Sequence, residues 1–272
     1  MTAHRLPAQL RHTASWHRLG LVAHRRGKAT QRFAVMSRRN PDWGVTNIVY
    51  DRATDLLRRI YGRRVCGPDV LDPLARFPAS ERFLAAWQPL REEALRVAQT
   101  LSTVPRFHEL MPQQAAISAN DNRDWRMFVV KAYGVVVPNN AARCPVLAGL
   151  VASVPDVLSA TLSFLAPHKH VPEHRGPFRG VIRYYLGLSV PLASDGLPGT
   201  ILAIDDRQYR VGSGQGLLWD DTFVHEVRND TEEVRIALLL DVRRRGMPLD
   251  LEVLSRLLIA VAGTAVRLRK LA

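Results

Sequence analysis

The first forty-one residues contain no aspartate or glutamate, and the whole 272-residue chain contains only two cysteines. Cys66 and Cys144 lie far apart, without the paired spacing of a zinc site or the cysteine density of a secreted scaffold. Both of those classes are excluded, and a reducing cytoplasm is expected. Long apolar runs are missing too. The longest, Leu257–Val266, spans ten residues, against the roughly 18 or more of a membrane span, and the first thirty residues hold no apolar core of a secretory signal. A soluble protein, or a peripheral one at a membrane surface, is therefore expected. Acid is scarce overall: 25 Asp and Glu stand against 38 Lys and Arg, a net charge of +13. That balance points to anionic partners, namely phospholipid, nucleic acid or an acidic substrate. Basic and aromatic residues are not interleaved and no nucleic-acid motif occurs, so nucleic acid has the least support.

What is present divides into four stretches. Residues 1–41 form a basic N-terminal arm with nine Arg or Lys and four histidines, which reads as a targeting segment, an arm for an anionic surface, or a solvated tail. Residues 42–122 read as helical support. Ala53–Tyr61 and Ser80–Leu101 carry apolar residues at i, i+3 and i+4, and Pro89 is predicted to split the second helix near Gln88. Arg106–Asn122 has no clean period and is expected to be a loop lining the substrate. Within residues 123–245, Asp124–Tyr133 alternates as a strand, Ala141–Ser153 reads as one short helix capped by Asn139 or Asn140, and Val157–Leu165 opens a barrel. Residues 246–272 read as a basic amphipathic helix with the stripe Leu251, Leu254, Leu258, Val261, Ala265 and Leu268. Such a helix either docks on its own barrel or a second subunit, or lies on anionic lipid.

The chemistry is concentrated between Leu162 and Val242. Runs of four to eight apolar and β-branched residues alternate there with Gly, Pro, Asn and Asp, the pattern of antiparallel strands folded into a sandwich or barrel. His174 follows Pro172 and leads into Arg175-Gly176-Pro177, a turn, while His225 ends the segment Leu217–His225 after a glycine-rich turn. A lone histidine is more often a core or surface residue than a ligand. In a barrel, however, two such strand ends can face each other across 51 residues of sequence. Arg235 stands in the otherwise apolar run Val234–Val242, so a buried guanidinium there needs an anion. Two histidines and a buried arginine together suggest a metal beside a carboxylate cosubstrate.

At these residues, in the segments LSFLAPHKHVPEHRGPF, IRYYLGLSVP, LLWDDTFVHEVRND and VRIALLLDV, the chain resembles the aspartyl/asparaginyl β-hydroxylase family of iron(II)- and 2-oxoglutarate-dependent oxygenases. The resemblance covers about residues 120 to 245. It implies a mainly β fold with flanking α-helices around a double-stranded β-helix. It also implies His174 and His225 as iron ligands, Arg235 as the partner of the distal carboxylate of 2-oxoglutarate, and Ser163 and Arg183 as further contacts to cosubstrate or substrate. Ser163 and Arg183 also read as a sheet hydroxyl and a solvated strand charge.

Gly176 departs from the common pattern. Oxygenases of this kind usually complete the site with a carboxylate, and many bacterial members of the family carry Asp two residues after the first histidine. The glycine implies a two-histidine site completed by water. Asp221, four residues before His225, is the candidate to hold that water, although Asp220 and Asp221 also read as solvated turn carboxylates. With extended backbone at 174–176, an Asp placed at 176 is expected to point at the same metal. The glycine-type site favours a peptidyl or amino-acid Asp/Asn substrate. DWRMFVVKAYG and CPVLAGLVASVPDV instead resemble bacterial lipid A and ornithine-lipid hydroxylases of the family, which implies an acyl-chain substrate and an anionic membrane surface as partner. A non-catalytic basic binding module is the third reading. The oligomeric state is not legible.

Overall fold

The computed structural model describes residues 22–25 and 44–269; the remainder of the expected N-terminal arm lies outside the described residues. The strands are β1 (Val22–Arg25), β2 (Val70–Leu71), β3 (Trp125–Ala132), β4 (Val135–Val136), β5 (Val157–Leu165), β6 (His170–His174), β7 (Val181–Ser189), β8 (Thr200–Ile204), β9 (Arg207–Arg210), β10 (Gly216–Trp219), β11 (His225–Asn229) and β12 (Arg235–Arg243). The helices are α1 (Gly44–Gly62), α2 (Pro73–Arg76), α3 (Ser80–Ala85), α4 (Trp87–Ala98), α5 (Phe107–Leu110), α6 (Pro138–Arg143), α7 (Pro145–Ala152) and α8 (Leu249–Leu268). A seven-stranded sheet runs β2-β10-β7-β12-β5-β3-β4, and a five-stranded sheet runs β1-β9-β8-β11-β6, with every strand pair antiparallel. Apart from the β8–β9 hairpin within the smaller sheet, consecutive strands from β5 to β12 pass back and forth between the two sheets, the arrangement of a double-stranded β-helix. The mainly β core with flanking helices expected from the sequence is the fold.

Side chains alternate across the larger sheet. One set, with Leu162, Phe164, Ile182, Leu186, Leu238 and Leu240, packs against Phe83, Leu90 and Leu147 of α3, α4 and α7. Each such fully buried aliphatic or aromatic side chain contributes about 1.5–3 kcal/mol. The opposite set faces inward. In register these are Ser163 beside Ala237, Thr161 beside Leu239, and Ser159 beside Asp241, which in turn faces Arg183 of β7. Because helices cover one face and the smaller sheet and its neighbours the other, β5 is buried at every position.

The larger sheet is wider than the smaller one can cover. Over its β3–β5 side the segment 105–122 and the start of α1 form a roof. That segment contains α5 and a 3-10 stretch, Pro112–Ile117, rather than the loop read from its sequence. Lys169 ties the roof down. Its fully buried ammonium donates to the Ser118 carbonyl at 2.7 Å, Asn120 Oδ1 at 2.8 Å and Asp121 Oδ1 at 2.5 Å. Gln114 Nε2 donates to the Tyr50 hydroxyl at 2.7 Å, which joins α1 to the same roof.

Three local expectations change. The single helix over 141–153 is two, because Pro138 and Pro145 each sit in a first helical turn and Cys144 between them is not helical. Asn139 and Asn140 lie inside α6. The cap of α7 comes instead from buried Glu93, which accepts from the Val146 and Leu147 amides at 2.7 and 3.1 Å. The break near Pro89 falls at Ala86, so Pro89 sits in the first turn of α4, where its missing N–H costs nothing. Finally, the stripe read from sequence docks only in its first half: α8 buries Leu251 and packs Leu254 and Leu258 on the core, then continues the buried face through Ser255, Ile259 and Gly263, while Val261, Ala265 and Leu268 are exposed. Small residues allow the close approach: a Cβ on Gly263 would lie 2.7 Å from the Tyr133 carbonyl.

Candidate active site

His174 ends β6 and His225 begins β11, and the two are directly paired across the strands. Their ring centroids lie 4.1 Å apart with the planes tilted by 53°. Each ring is oriented by its own chain. Nδ1 of His174 bonds the Pro172 carbonyl at 2.8 Å, and Nδ1 of His225 bonds the Phe223 carbonyl at 2.9 Å. A carbonyl only accepts, so Nδ1 carries the proton in both rings and Nε2 keeps its lone pair. Burial pushes the His174 pKa down to about 4. Burial, and then the neighbouring His174, holds His225 well below its ordinary value. Both imidazoles are thus neutral at physiological pH, the state that ligates metal. Among the described residues no group of three or more His, Cys, Asp or Glu is placed to hold a metal, and the paired rings are the candidate donors.

The carboxylate beside the histidines is Asp221, the residue expected from the sequence. Asp220 and Asp221 are each 2% exposed, not solvated turn residues. Asp220 is clamped by Arg244 at 2.6 Å, Arg179 at 3.0 Å and the Thr222 hydroxyl at 2.5 Å, which fixes the loop leading into His225. Asp221 Oδ2 lies 3.3 Å from Arg183 Nη2, and its buried Oδ1 has no hydrogen-bond partner. Burial raises its pKa to about 6 in spite of Arg183. Gly176 donates its amide to the Asp221 carbonyl at 2.6 Å, while Arg58 Nε holds the Gly176 carbonyl at 2.9 Å. A Cβ built on Gly176 would overlap the Asp221 carboxylate carbon and both oxygens. An Asp at 176, expected to point at the same metal, would therefore compete with the Asp221 side chain, which already fills that space.

A small cavity of about 50 Å³ adjoins the histidines, lined among others by Arg235, Ser163, Tyr185, Thr200 and Trp219. Arg235 is 3% exposed and has no carboxylate partner among the described residues. Its Nη1 makes only 3.4 Å contacts to the Ser163 carbonyl and hydroxyl, and its Nε has no partner. Burial pushes its pKa below the ordinary value. Tyr185 Oη, Thr200 Oγ1 and Trp219 Nε1 are buried without partners around the same cavity. A buried cation with unused donors beside it is costly unless an anion completes it, so the donor set fits a carboxylate. Ser163 is also held by Trp125 Nε1 at 2.9 Å. Arg183 lines both this cavity and its larger neighbour, and its charge is shared between Asp241, at 2.9 and 3.0 Å, and Asp221.

A second and larger cavity, about 370 Å³, opens onto the same two histidines, Asp221 and Gly176. Its walls are largely apolar: Phe107, Leu110, Met111 and Ile117 from the roof, Met127 and Val129 from β3, and Val266 from α8. Its polar spots include Lys131, Gln114, Asn140, Arg175, Arg183 and Asp241.

Residues 84–245 match the family described as Aspartyl/Asparaginyl beta-hydroxylase. The chain belongs to that family. An ornithine lipid ester-linked acyl 2-hydroxylase from Rhizobium tropici is 33% identical over 174 residues, covering 64% of this chain and 60% of that protein. The human aspartyl/asparaginyl beta-hydroxylase is 24% identical over 175 residues, covering 60% of this chain and 22% of that protein. The match thus spans less than two thirds of either relative. Among solved structures, a Pseudomonas putida prolyl-4-hydroxylase aligns over 58% of this chain and 87% of its own, with 13% identity and a TM-score of 0.36.

Sequence reasoning missed Tyr185, Thr200, Trp219 and Asp241. Only Asp241 left a legible signal. It shares strand parity with Arg235 in an otherwise apolar run, so both point inward.

Proposed function

We propose that this chain is an iron(II)- and 2-oxoglutarate-dependent hydroxylase whose substrate is an acyl chain of a lipid. The observation that carries the acyl assignment is the large apolar cavity leading to the paired histidines. A peptidyl Asp or Asn side chain is short and polar and leaves such walls unfilled. A hydrocarbon chain gains about 0.8 kcal/mol for each methylene it buries. The R. tropici relative, by its name, acts on an ester-linked acyl chain, which favours the same reading.

In this account His174 and His225 hold the metal through Nε2, their tautomers locked by the Pro172 and Phe223 carbonyls. Arg235 pairs with the distal carboxylate of 2-oxoglutarate through a bidentate fork, assisted by Ser163, Tyr185, Thr200 and Trp219. Metal and cosubstrate, when bound, supply the oxidation. Asp221 accepts from a water beside the histidines through its free Oδ1, and Arg183, anchored by Asp241, holds Asp221 in place. The apolar walls exclude bulk water and present one C–H of the chain to the histidine pair.

The test is a product screen by mass spectrometry. Purified protein with iron(II) and 2-oxoglutarate is given lipid extracts and, separately, peptide pools. One oxygen gained in an acyl fragment is the expected outcome. Val129→Trp, which fills the cavity from β3, should suppress that product while leaving metal binding intact. Oxygen gained only in peptides would return the assignment to the aspartyl/asparaginyl type.

A further inference from the structure

Eleven large apolar side chains are exposed among the described residues, and eight of them lie on α1, α8 and β4, which abuts α8. On α8, Leu249, Val253, Leu257 and Val261 recur every fourth residue and Leu268 falls on the same side, with exposures from 56% to 79%. That stripe is opposite the docked face of Leu251, Ser255, Ile259 and Gly263. Helix α8 therefore has two apolar faces, and its own fold uses only one. Helix α1 packs alongside. The Tyr61 hydroxyl donates to the Leu251 carbonyl at 3.1 Å and lies 2.7 Å from the Ser255 hydroxyl, and α1 has exposed apolar residues of its own, Leu56 and Ile60. An exposed apolar stripe of this length along one helix marks an interaction site.

The charges on the same helices select the partner. Arg52, Arg59 and Arg63 near α1, with Arg256, Arg267 and Arg269 near α8, are exposed and form no ion pair among the described residues. The acids Asp55 and Asp250 are already paired, with Arg58 and Arg64. A second copy of the chain would bring the same excess of arginine against these cations, whereas an anionic bilayer complements both the apolar stripe and the charge. No helix among the described residues is long and apolar enough to cross a membrane, so contact is with the surface. The position relative to the site is also informative: Tyr50 of α1 and Val266 of α8 line the large cavity.

We propose that α1 and α8 form a docking face for an anionic lipid bilayer, seating the large cavity at the boundary between headgroups and acyl chains. The docking deepens the acyl-hydroxylase reading and rests on it for its purpose, but it is measured without turnover. The full-length protein, without cosubstrate, is floated with vesicles of phosphatidylcholine alone or of phosphatidylcholine with phosphatidylglycerol.

Flotation with the anionic vesicles is expected, weakening as salt rises. Combined Leu257→Glu and Val261→Glu should abolish it. Arg256→Gln with Arg267→Gln should weaken it by roughly fivefold per arginine, the effect of one cation near an anionic surface. All four side chains are exposed, so the melting temperatures should stay those of the parent. No flotation with anionic vesicles, equal flotation with neutral ones, or unaltered flotation of the Leu257→Glu/Val261→Glu protein would each overturn the proposal. So would a lipid-free dimer that the same two substitutions dissolve, which would assign the patch to a second copy. Acyl substrate dispersed in detergent separates the two readings. Hydroxylation in detergent without vesicle binding defeats the docking face alone, and vesicle binding with no acyl product in detergent defeats the substrate reading alone.

Discussion

The two faces of the seven-stranded sheet are made of the same strands and have opposite characters. Toward α3, α4 and α7 they present Leu162, Phe164, Leu186, Leu238 and Leu240, closely packed and wholly apolar. On the inward side, toward the smaller sheet and the 105–122 roof, they present Ser163, Thr161, Arg183, Asp241 and Arg235, several of them buried with polar atoms unpaired or shared. Burying unpaired polar groups destabilises a fold, and the outer face offsets that cost. Stability and chemistry are thus divided between odd and even positions of single strands, so substitutions one residue apart should have different consequences.

The largest effect should come from the inward side. His225→Ala or His174→Ala leaves one protein ligand, and stoichiometric iron binding should vanish while the chain still unfolds cooperatively. Iron retained in either variant would remove both residues from the metal site. Next in size, Leu238→Ala on the outward side should lower unfolding free energy by about 2–5 kcal/mol, read from denaturant titration, with the 2-oxoglutarate requirement of the remaining folded enzyme unchanged.

Gly176→Asp is a finer probe. Overlap with the Asp221 carboxylate should cost about 1–3 kcal/mol and impair metal binding. Adding Asp221→Ala should recover part of both, because the new carboxylate then has room. Additive losses in the double variant would show that the two positions do not share one space. The smallest effect expected is at Arg235. Arg235→Lys keeps the charge but loses the planar fork, and should raise the KM for 2-oxoglutarate by about ten- to a hundredfold, the worth of one hydrogen bond to a charged group. Without cosubstrate the Arg235→Met protein should be at least as stable as the parent, since an unpaired buried cation is removed.

The comparison also explains what was legible in the chain. His174, His225 and Arg235 stood out because each is a chemically loaded residue at the edge of, or inside, an apolar run. The barrel strands were legible for the same reason: β5 begins and ends where its apolar run does. Tyr185, Thr200 and Trp219 are ordinary strand residues by type, and only packing reveals that their polar atoms lack partners. The large cavity was hidden because it depends on the roof 105–122 overlying β3, a long-range arrangement held by Lys169 and Gln114. Gly176 read as an absence, yet the structure makes it a clearance for Asp221. In α8 the sequence carries two apolar faces, and helical period alone does not say which one docks.

The central claim is that the inward face couples a carboxylate cosubstrate at Arg235 to an acyl chain in the large cavity. Succinate and hydroxylated acyl product, quantified together in one reaction with lipid extract, test it most directly. The account predicts equal amounts of the two, with Val129→Trp lowering the acyl product far more than the succinate. Succinate formed with no oxygen in any acyl chain, or no succinate at all from iron-loaded protein, would contradict it.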